Sequence, residues 1–458
     1  RWGNGVIPMP VSAARAAAFD ILLRVAQQNA YASELLHSER LDKLSSADRG
    51  LTTEIVMGVL RWQSRLDRAI AVSSSRTLAK LDPQVLIALR IAAYQLLFLT
   101  RVPARAAINE SVELVKRAKK TSAAPFANAV LRKLANVEPE PPRETTTAAE
   151  LAAEFAHPEW LVQRWVNHYG IAKAEAICRH DQHVPPTSIR LDSDQGAREL
   201  QGEGIELAPG ALLTSARTVT GGDVTQTRAY REGRVFIQDE ASQLVAALVS
   251  GGSRLLDCCA APGSKTAAIA SRNPLAEIVA VELHPHRAEL LRRRVRAANV
   301  KVVTADALEL PLQGGFDRVL ADVPCSGIGT LARNPEIKWR LKPEALSELH
   351  TKQVAILRAA LKHVAPGGRA VYSTCSLEPE ENQAVVEEIL AGDSNFNLLD
   401  CRAELERLRS EGELATRDLD SLLDGPYLRT IPGVRPCDGF FAAVIGKVDS
   451  PRTKVREE

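Results

Sequence analysis

Between Ser12 and about Val137, apolar residues recur at spacings of three and four, the repeat of one face of an α-helix. That spacing predicts helices over Ala13–Ala26, Ser46–Val72, Asp82–Leu99, Ala107–Ala118 and Ala124–Leu134. No strand pattern interrupts them, so residues 1–138 read as an all-α bundle. Asp82-Pro83 is a helix start, with the aspartate as cap and the proline at the first helical position. Val137-Glu138-Pro139-Glu140-Pro141-Pro142-Arg143 follows as a linker by composition. Helical spacing resumes at Ala148–Glu154 and Glu159–His168, and short strand-like runs lie at Thr187–Leu191, Gly204–Leu207 and Arg234–Gln238. Residues 145–235 are therefore expected to form a small α+β segment.

From Gly252 the period changes to strand, glycine-containing turn and helix, repeated. Strands are expected at Arg254–Cys258, Glu277–Leu283, Lys301–Asp306, Arg318–Asp322 and Arg369–Ser373, and helices at Lys265–Ser271, Pro285–Ala298, Pro343–Val364 and Glu380–Leu390. That alternation predicts a doubly wound α/β domain over 236–447, built on a parallel sheet. The tail Asp438–Ile445 reads as a final strand closing an antiparallel edge, and the polar stretch Glu404–Asp424 as a surface insertion.

With 45% hydrophobic and 25% charged residues, the chain is globular in composition, which excludes wholesale disorder. The longest apolar run, around Ile87 to Val102, is broken by Arg90, Gln95 and Arg101, too interrupted for a membrane span. The amino end lacks a signal-peptide progression and an initiator Met, so it is read as trimmed. Net charge is only +2 but uneven: residues 1–140 hold 20 Lys and Arg against 12 Asp and Glu. A basic front on a mildly acidic body suggests a polyanion-binding module attached to an enzyme. Lys116, Arg117, Lys119 and Lys120 bunch at one helix end, as either a solvated face or a phosphate contact. Seven cysteines show no CxxC pairing and no histidine spacing for a metal, so none is expected. An odd, unframed cysteine count fits a reducing, cytoplasmic setting.

The first strand-to-helix turn, Leu255-Leu256-Asp257-Cys258-Cys259-Ala260-Ala261-Pro262-Gly263-Ser264-Lys265-Thr266, lets backbone approach a ligand closely at a helix N-terminus. A P-loop would need glycine where Cys258 stands, and a dinucleotide fingerprint would need three spaced glycines, of which only Gly263 is present. Few phosphate-cradling glycines favour a neutral or cationic nucleoside such as S-adenosylmethionine. Cys259, Ala260, Ala261, Pro262, Gly263, Ser264 and Lys265 are the loop's binding candidates. Glu282 ends the second strand, suited to ribose hydroxyls; Asp306 ends the third, suited to the adenine amino group; Asp322 ends the fourth. Singly, each is as readily a strand-end cap.

Cys325, in Asp322-Val323-Pro324-Cys325-Ser326-Gly327, and Cys375, in Tyr372-Ser373-Thr374-Cys375-Ser376, each follow a buried-strand pattern. A lone free cysteine is commonly a small buried hydrophobe. Two thiols converging on a methyl donor suit methylation of cytosine at carbon 5, where a thiolate first adds to carbon 6. The residues alone do not say which thiol attacks. Lys265 is either a solvent-facing helix start or a cation favouring the thiolate.

Residues 230–446 resemble the Sun/Fmu family of RNA cytosine-5 methyltransferases. The resemblance rests on Phe236-Ile237-Gln238-Asp239-Glu240-Ala241-Ser242, Asp257–Thr266, the two cysteine motifs, Arg333-Asn334-Pro335-Glu336-Ile337-Lys338-Trp339 and Asp438-Gly439-Phe440-Phe441. The front, through Asp82-Pro83, Leu89–Leu96, Ala107–Val112 and Phe126–Arg132, resembles the NusB-like RNA-binding fold. The family usually has glycine where Ser264 stands and often aspartate where Glu282 stands. The resemblance implies a class I, Rossmann-like methyltransferase using S-adenosylmethionine, with Cys375 as nucleophile, Cys325 assisting elimination and Asp322 on the cytosine N3/N4 edge. It implies action on 16S ribosomal RNA; the 145–235 segment is read as an RNA-contacting appendage, and a monomer is expected. Transfer RNA as substrate, or a non-catalytic RNA-binding role, are the competing expectations.

Overall fold

The computed structural model describes residues 11–38, 41–137, 145–191 and 193–448. The linker expected from Glu138 to Arg143 lies outside them. The chain divides into two compact units, residues 1–184 with 331–340, and residues 185–330 with 341–458.

The first unit is helical, as the periodicity requires. Its helices are Ala13–Gln28, Ala32–Leu36, Ser46–Ser73, Pro83–Phe98, Ala104–Arg117, Ala124–Leu134, Ala148–Glu154, Glu159–Tyr169 and Ile171–Gln182. Asp82 caps its helix by accepting from Gln84 N at 2.9 Å. Leu22, Ile55, Leu66, Leu89, Ile91 and Leu131 meet in one core. Gly58 is obligatory there: a Cβ would sit 1.9 Å from the Tyr94 ring. The basic bunch is largely neutralised, with Lys116 on Glu113, Arg117 on Asp20 and Lys120 on Asp82. That favours a solvated face over a phosphate contact.

One member of this unit comes from far along the sequence. Arg333–Trp339, carried above as a methyltransferase motif, groups with the helices. Glu336 Oε1 accepts from Ala32 N at 2.8 Å, Trp339 Nε1 donates to Leu60 O at 2.6 Å and Arg340 donates to Val25 O at 2.8 Å. Lys338, 1% exposed, donates to Arg61 O at 3.0 Å.

The second unit holds two sheets among the described residues. The small one joins β1 (Thr187–Arg190), β2 (Glu206–Pro209), β3 (Ala216–Gly221) and β4 (Phe236–Ile237) in the order β2-β3-β1-β4, all antiparallel. Within the stretch 145–235, the helices up to Gln182 group with the first unit and these strands with the second. The large sheet follows as β5 (Arg254–Asp257), β6 (Glu277–Glu282), β7 (Val300–Thr304), β8 (Phe316–Asp322), β9 (Val364–Thr374), β10 (Phe396–Leu399), β11 (Leu423–Asp424), β12 (Tyr427–Thr430) and β13 (Phe440–Lys447). Its order is β11-β12-β13-β9-β8-β5-β6-β7, parallel from β9 to β7. Strand order reverses about β5, so the carboxyl ends of β5 and β8 flank the crevice where such sheets take ligands.

Two expectations need correcting. β13 is not an edge: β9 lies on one side and β12 with β10 on the other. Its continuous apolar run, Phe440 to Ile445 and all buried, is what an interior strand requires. The polar stretch 404–424 is not a free insertion either. The helix Cys401–Ser410 buries Cys401, Leu405 and Leu408, an apolar stripe diluted by charged neighbours.

Candidate active site

The sheet's register brings the expected residues to one end. Asp257 closes β5, Glu282 closes β6, Asp322 closes β8, and Asp306 lies two residues beyond β7. Parallel pairing places Asp322 beside Ser373, whose hydroxyl donates to Asp322 Oδ1 at 2.8 Å.

The turn after β5 is pinned between neighbouring strands: Cys258 N donates to Leu320 O at 2.9 Å and Ala260 N to Val281 O at 2.8 Å. Cys258 is buried and Cys259 half-buried, and burial raises both thiols above their ordinary range. Gly263 has φ +108°, and a Cβ there would reach within 2.8 Å of Leu291 and Val295. The glycine requirement therefore falls at Gly263. Ser264, free of positive φ, opens the helix Ser264–Arg272, so the departure from the usual glycine costs the loop nothing. Half-buried Ala261 and exposed Pro262 form the shoulder of the turn. Asp257 is buried and accepts from Thr266 Oγ1 at 2.8 Å; burial pushes its carboxyl up to about 6, against the pull of that bond.

Glu282 is buried, and its Oε1 accepts from His284 N at 2.9 Å. Asp306 is exposed, with Oδ1 accepting from Leu308 N at 2.9 Å. The second oxygen of each carboxylate has no hydrogen-bond partner among the described residues. Small loop residues beside two half-satisfied acids fit a nucleoside with free hydroxyl and amino donors.

The thiols meet. Cys325 Sγ and Cys375 Sγ are 3.3 Å apart, both half-buried. The hydrogen bond to Cys375, then burial, holds Cys325 well above the usual thiol range, so Cys325 keeps its proton. Lys265 is not a solvent-facing helix start. Its Nζ lies 2.8 Å from Asp322 Oδ2 and 4.9 Å from the centre of the Phe440 ring, with its side chain 14% exposed. Burial works against its charge, but Asp322 outweighs burial and the pKa rises, with Cys375 contributing. Lys265 thus keeps its charge paired with Asp322 and close enough to Cys375 for the two to interact electrostatically.

Two supports escaped the sequence reading. Glu381, fully buried, ties the cysteine loops together: Oε1 accepts from Ser326 N at 2.8 Å and Gln353 Nε2 at 2.9 Å, and Oε2 from the Ser326 and Ser376 hydroxyls. Glu380–Leu390 was expected to be helical. The helix instead starts at Gln383, and Pro379–Glu381 forms a short 3₁₀ turn that aims Glu381 back under the loops. The available signal was an acid run, Glu378 to Glu381, interrupted by Pro379 four residues after Cys375. Gly329 is the second support. Its N donates to Cys375 O at 2.9 Å, and a Cβ there would lie 2.1 Å from the Gly439 carbonyl oxygen.

Comparison with known proteins agrees part by part. The model of the 16S rRNA methyltransferase RsmB/F family matches residues 247–446, the NusB family model matches 12–136, and an RsmF/B-like ferredoxin-like domain matches 157–222. A probable ribosomal RNA small subunit methyltransferase B of Bacillus subtilis is 32% identical over 96% of this chain and 100% of its own. The chain belongs to the RsmB/F methyltransferase family. Ribosomal RNA small subunit methyltransferase B of Pseudomonas syringae is 34% identical over 79% of the chain and 83% of its own. Among solved structures, PH0851 superposes with TM-score 0.79 at 25% identity, covering 96% of this chain and all of its own. A methyltransferase homologue from Pyrococcus horikoshii shares the fold at TM-score 0.54 and 24% identity, over 66% of this chain and 99% of its own. As an RsmB/F family member, the chain is a methyltransferase built as a NusB-type helical domain followed by a mostly parallel α/β sheet. No helix among the described residues is long and apolar enough to cross a membrane.

Proposed function

We propose that this enzyme methylates carbon 5 of a cytosine in 16S ribosomal RNA, in the cytoplasm and as a monomer, with S-adenosylmethionine as donor. The names of its relatives support the substrate, and the 3.3 Å thiol pair beside the Lys265–Asp322 ion pair carries the chemistry. When bound, S-adenosylmethionine supplies an electrophilic methyl group. The residues that would hold it are the turn Cys259 to Lys265, with Glu282 for the ribose, Asp306 for the adenine and Asp322 at the crevice wall. The division of labour is a basic helical front (1–138), an RNA-contacting appendage (145–235) and a catalytic domain (236–447).

Cytosine carbon 5 is a poor nucleophile until a thiolate adds to carbon 6. Cys375 makes that bond as a thiolate, with Lys265 stabilising its charge and Cys325 donating a hydrogen bond to its sulfur. The new C6–S bond turns the ring into an enamine nucleophilic at carbon 5. Asp322, held by Lys265 and Ser373, meets the N3/N4 edge of the base. Once carbon 5 carries the methyl group, water takes its proton, the freed electron pair re-forms the C5–C6 double bond, and the C6–S bond breaks to return Cys375 as thiolate; Cys325 assists this elimination through its hydrogen bond to the departing sulfur. The base must be unpaired or flipped to present carbon 6.

The test is bisulfite mapping of 16S ribosomal RNA and transfer RNA after incubation with the protein and S-adenosylmethionine. One newly protected 16S cytosine supports the proposal. Protection only in transfer RNA would replace the substrate, and none in either would leave an RNA-binding factor.

A further inference from the structure

Two pockets of the second unit are rich in arginine, and they differ in kind. The first, about 540 Å³, is lined by Arg272, Arg318, Arg369 and Arg407 together with Glu404, Glu411 and Glu413. Arg272 meets Glu413, Arg369 meets Glu404 and Arg407 meets both Glu404 and Glu411. Such a network neutralises itself and leaves little field for a ligand.

The second, about 350 Å³, is lined by Arg231, Arg293, Arg294 and Arg296 with Tyr230 and Phe236, and no acidic residue lines it. Arg293 pairs with Glu289 across one exposed helical turn, a contact worth little in water. Arg231, Arg294 and Arg296 form no ion pair among the described residues. Arg231 donates to Gln226 O and Arg296 to Arg293 O, carbonyls that leave the positive charge uncompensated. The pocket opens beside the cofactor turn at Pro262 and Ser264. Gly233 turns the chain at its wall with φ +73°, a conformation that residues with a side chain rarely adopt, and Arg190 stacks 5.2 Å from the Phe236 ring centre.

Concentrated cation next to an aromatic wall is the composition that takes single-stranded nucleic acid, with guanidinium groups on phosphates and a base against a ring. We propose that this pocket binds one nucleotide of the substrate RNA outside the target cytosine, with Arg294 and Arg296 on its phosphates and its base against Tyr230. The assignment rests on the RNA methyltransferase reading and adds the point at which the appendage and the cofactor turn hold the strand together.

The test uses the full chain and measures binding of a single-stranded oligoribonucleotide across a salt series, with polyphosphate as a base-free polyanion. S-adenosylhomocysteine affinity and methyl transfer are read in parallel. The Arg294→Ala/Arg296→Ala protein is expected to bind RNA roughly tenfold more weakly, with a salt slope lower by about 1.4 for two lost phosphate contacts. Tyr230→Ala is expected to lose roughly tenfold for RNA but nothing for polyphosphate, with Tyr230→Phe restoring RNA binding. S-adenosylhomocysteine affinity should be unchanged in all three, which excludes misfolding. RNA binding and slope equal to the unsubstituted protein would overturn the proposal, and equal losses for RNA and polyphosphate in Tyr230→Ala would overturn its base-stacking part. If the unsubstituted protein transfers no methyl group while the arginine pair still controls RNA binding, the catalytic reading falls and the pocket stands.

Discussion

The large sheet carries charged clusters toward both ends of its strands, and they differ in what they leave unsatisfied. Toward the amino ends, Arg272, Arg369 and Arg407 each face a glutamate. Toward the carboxyl ends, Glu282 and Asp306 each keep an open oxygen, and Lys265 serves one carboxylate while interacting electrostatically with a thiol. The two ends differ in how far the protein's own groups complete one another. A closed network mainly holds elements in place, whereas an open one is finished by substrate and cofactor.

That contrast can be broken or sharpened by substitution. Cys375→Ala should abolish methyl transfer by at least ~10⁴-fold, the scale of removing a covalent nucleophile. Thermal stability should barely change, since the side chain is half-buried; residual transfer above that level, measured with labelled donor, would move the nucleophile elsewhere. Next come the groups that set the thiols. Lys265→Met and Glu381→Gln should each lower kcat roughly 10²-fold. For Glu381→Gln the S-adenosylhomocysteine affinity should hold, because that side chain touches the cysteine loops and not the cofactor turn. A fall in kcat together with a rise in KM and weaker cofactor binding would mark it as a general scaffold residue instead.

How much of this could be read in the residues depends on range. Alternation of strand and helix marked all five parallel strands, because a two-sided buried strand is written in contiguous residues. β9 was read from Arg369 although it begins at Val364, since Pro366, Gly367 and Gly368 look like a turn. The positions of Cys325, Cys375, Asp322 and the turn after β5 were legible because each lies at or just beyond a strand end, where local sequence dictates position. Glu381 was not, because its role depends on two loops 50 residues apart meeting above it. What the Arg333–Trp339 stretch touches was hidden for the same reason: its partners Ala32 and Leu60 lie far earlier in the sequence. The pairing of Lys116, Arg117 and Lys120 with Glu113, Asp20 and Asp82 was equally invisible.

Lys338 extends the contrast into the helical unit, as a buried cation bonded to a carbonyl. Burial brings its pKa down to about 7. Free lysine binds its proton up to about 10.4, so between these values the unfolded chain holds a proton the fold does not, and stability rises with pH. Urea midpoints should therefore increase from pH 7 toward pH 10 by an amount equivalent to a few kcal/mol (order ~2–4). The rise should vanish in Lys338→Met; a flat profile in the unsubstituted protein would mean that Lys338 stays charged. The smallest effect is expected at the closed end of the sheet. Arg272→Met should leave methyl transfer within about twofold and cost no more than ~1 kcal/mol, as expected for a partly exposed ion pair. A large loss of activity there would erase the distinction between the two ends.

The central claim is that Cys375 forms the bond to RNA and Cys325 helps break it. The most direct measurement is a denaturing gel of the Cys325→Ala protein after incubation with 16S ribosomal RNA and labelled S-adenosylmethionine. A labelled protein–RNA band that survives denaturation and disappears in the Cys325→Ala/Cys375→Ala protein is the predicted result. The same band in Cys375→Ala, with none in Cys325→Ala, would contradict the account and reverse the two roles.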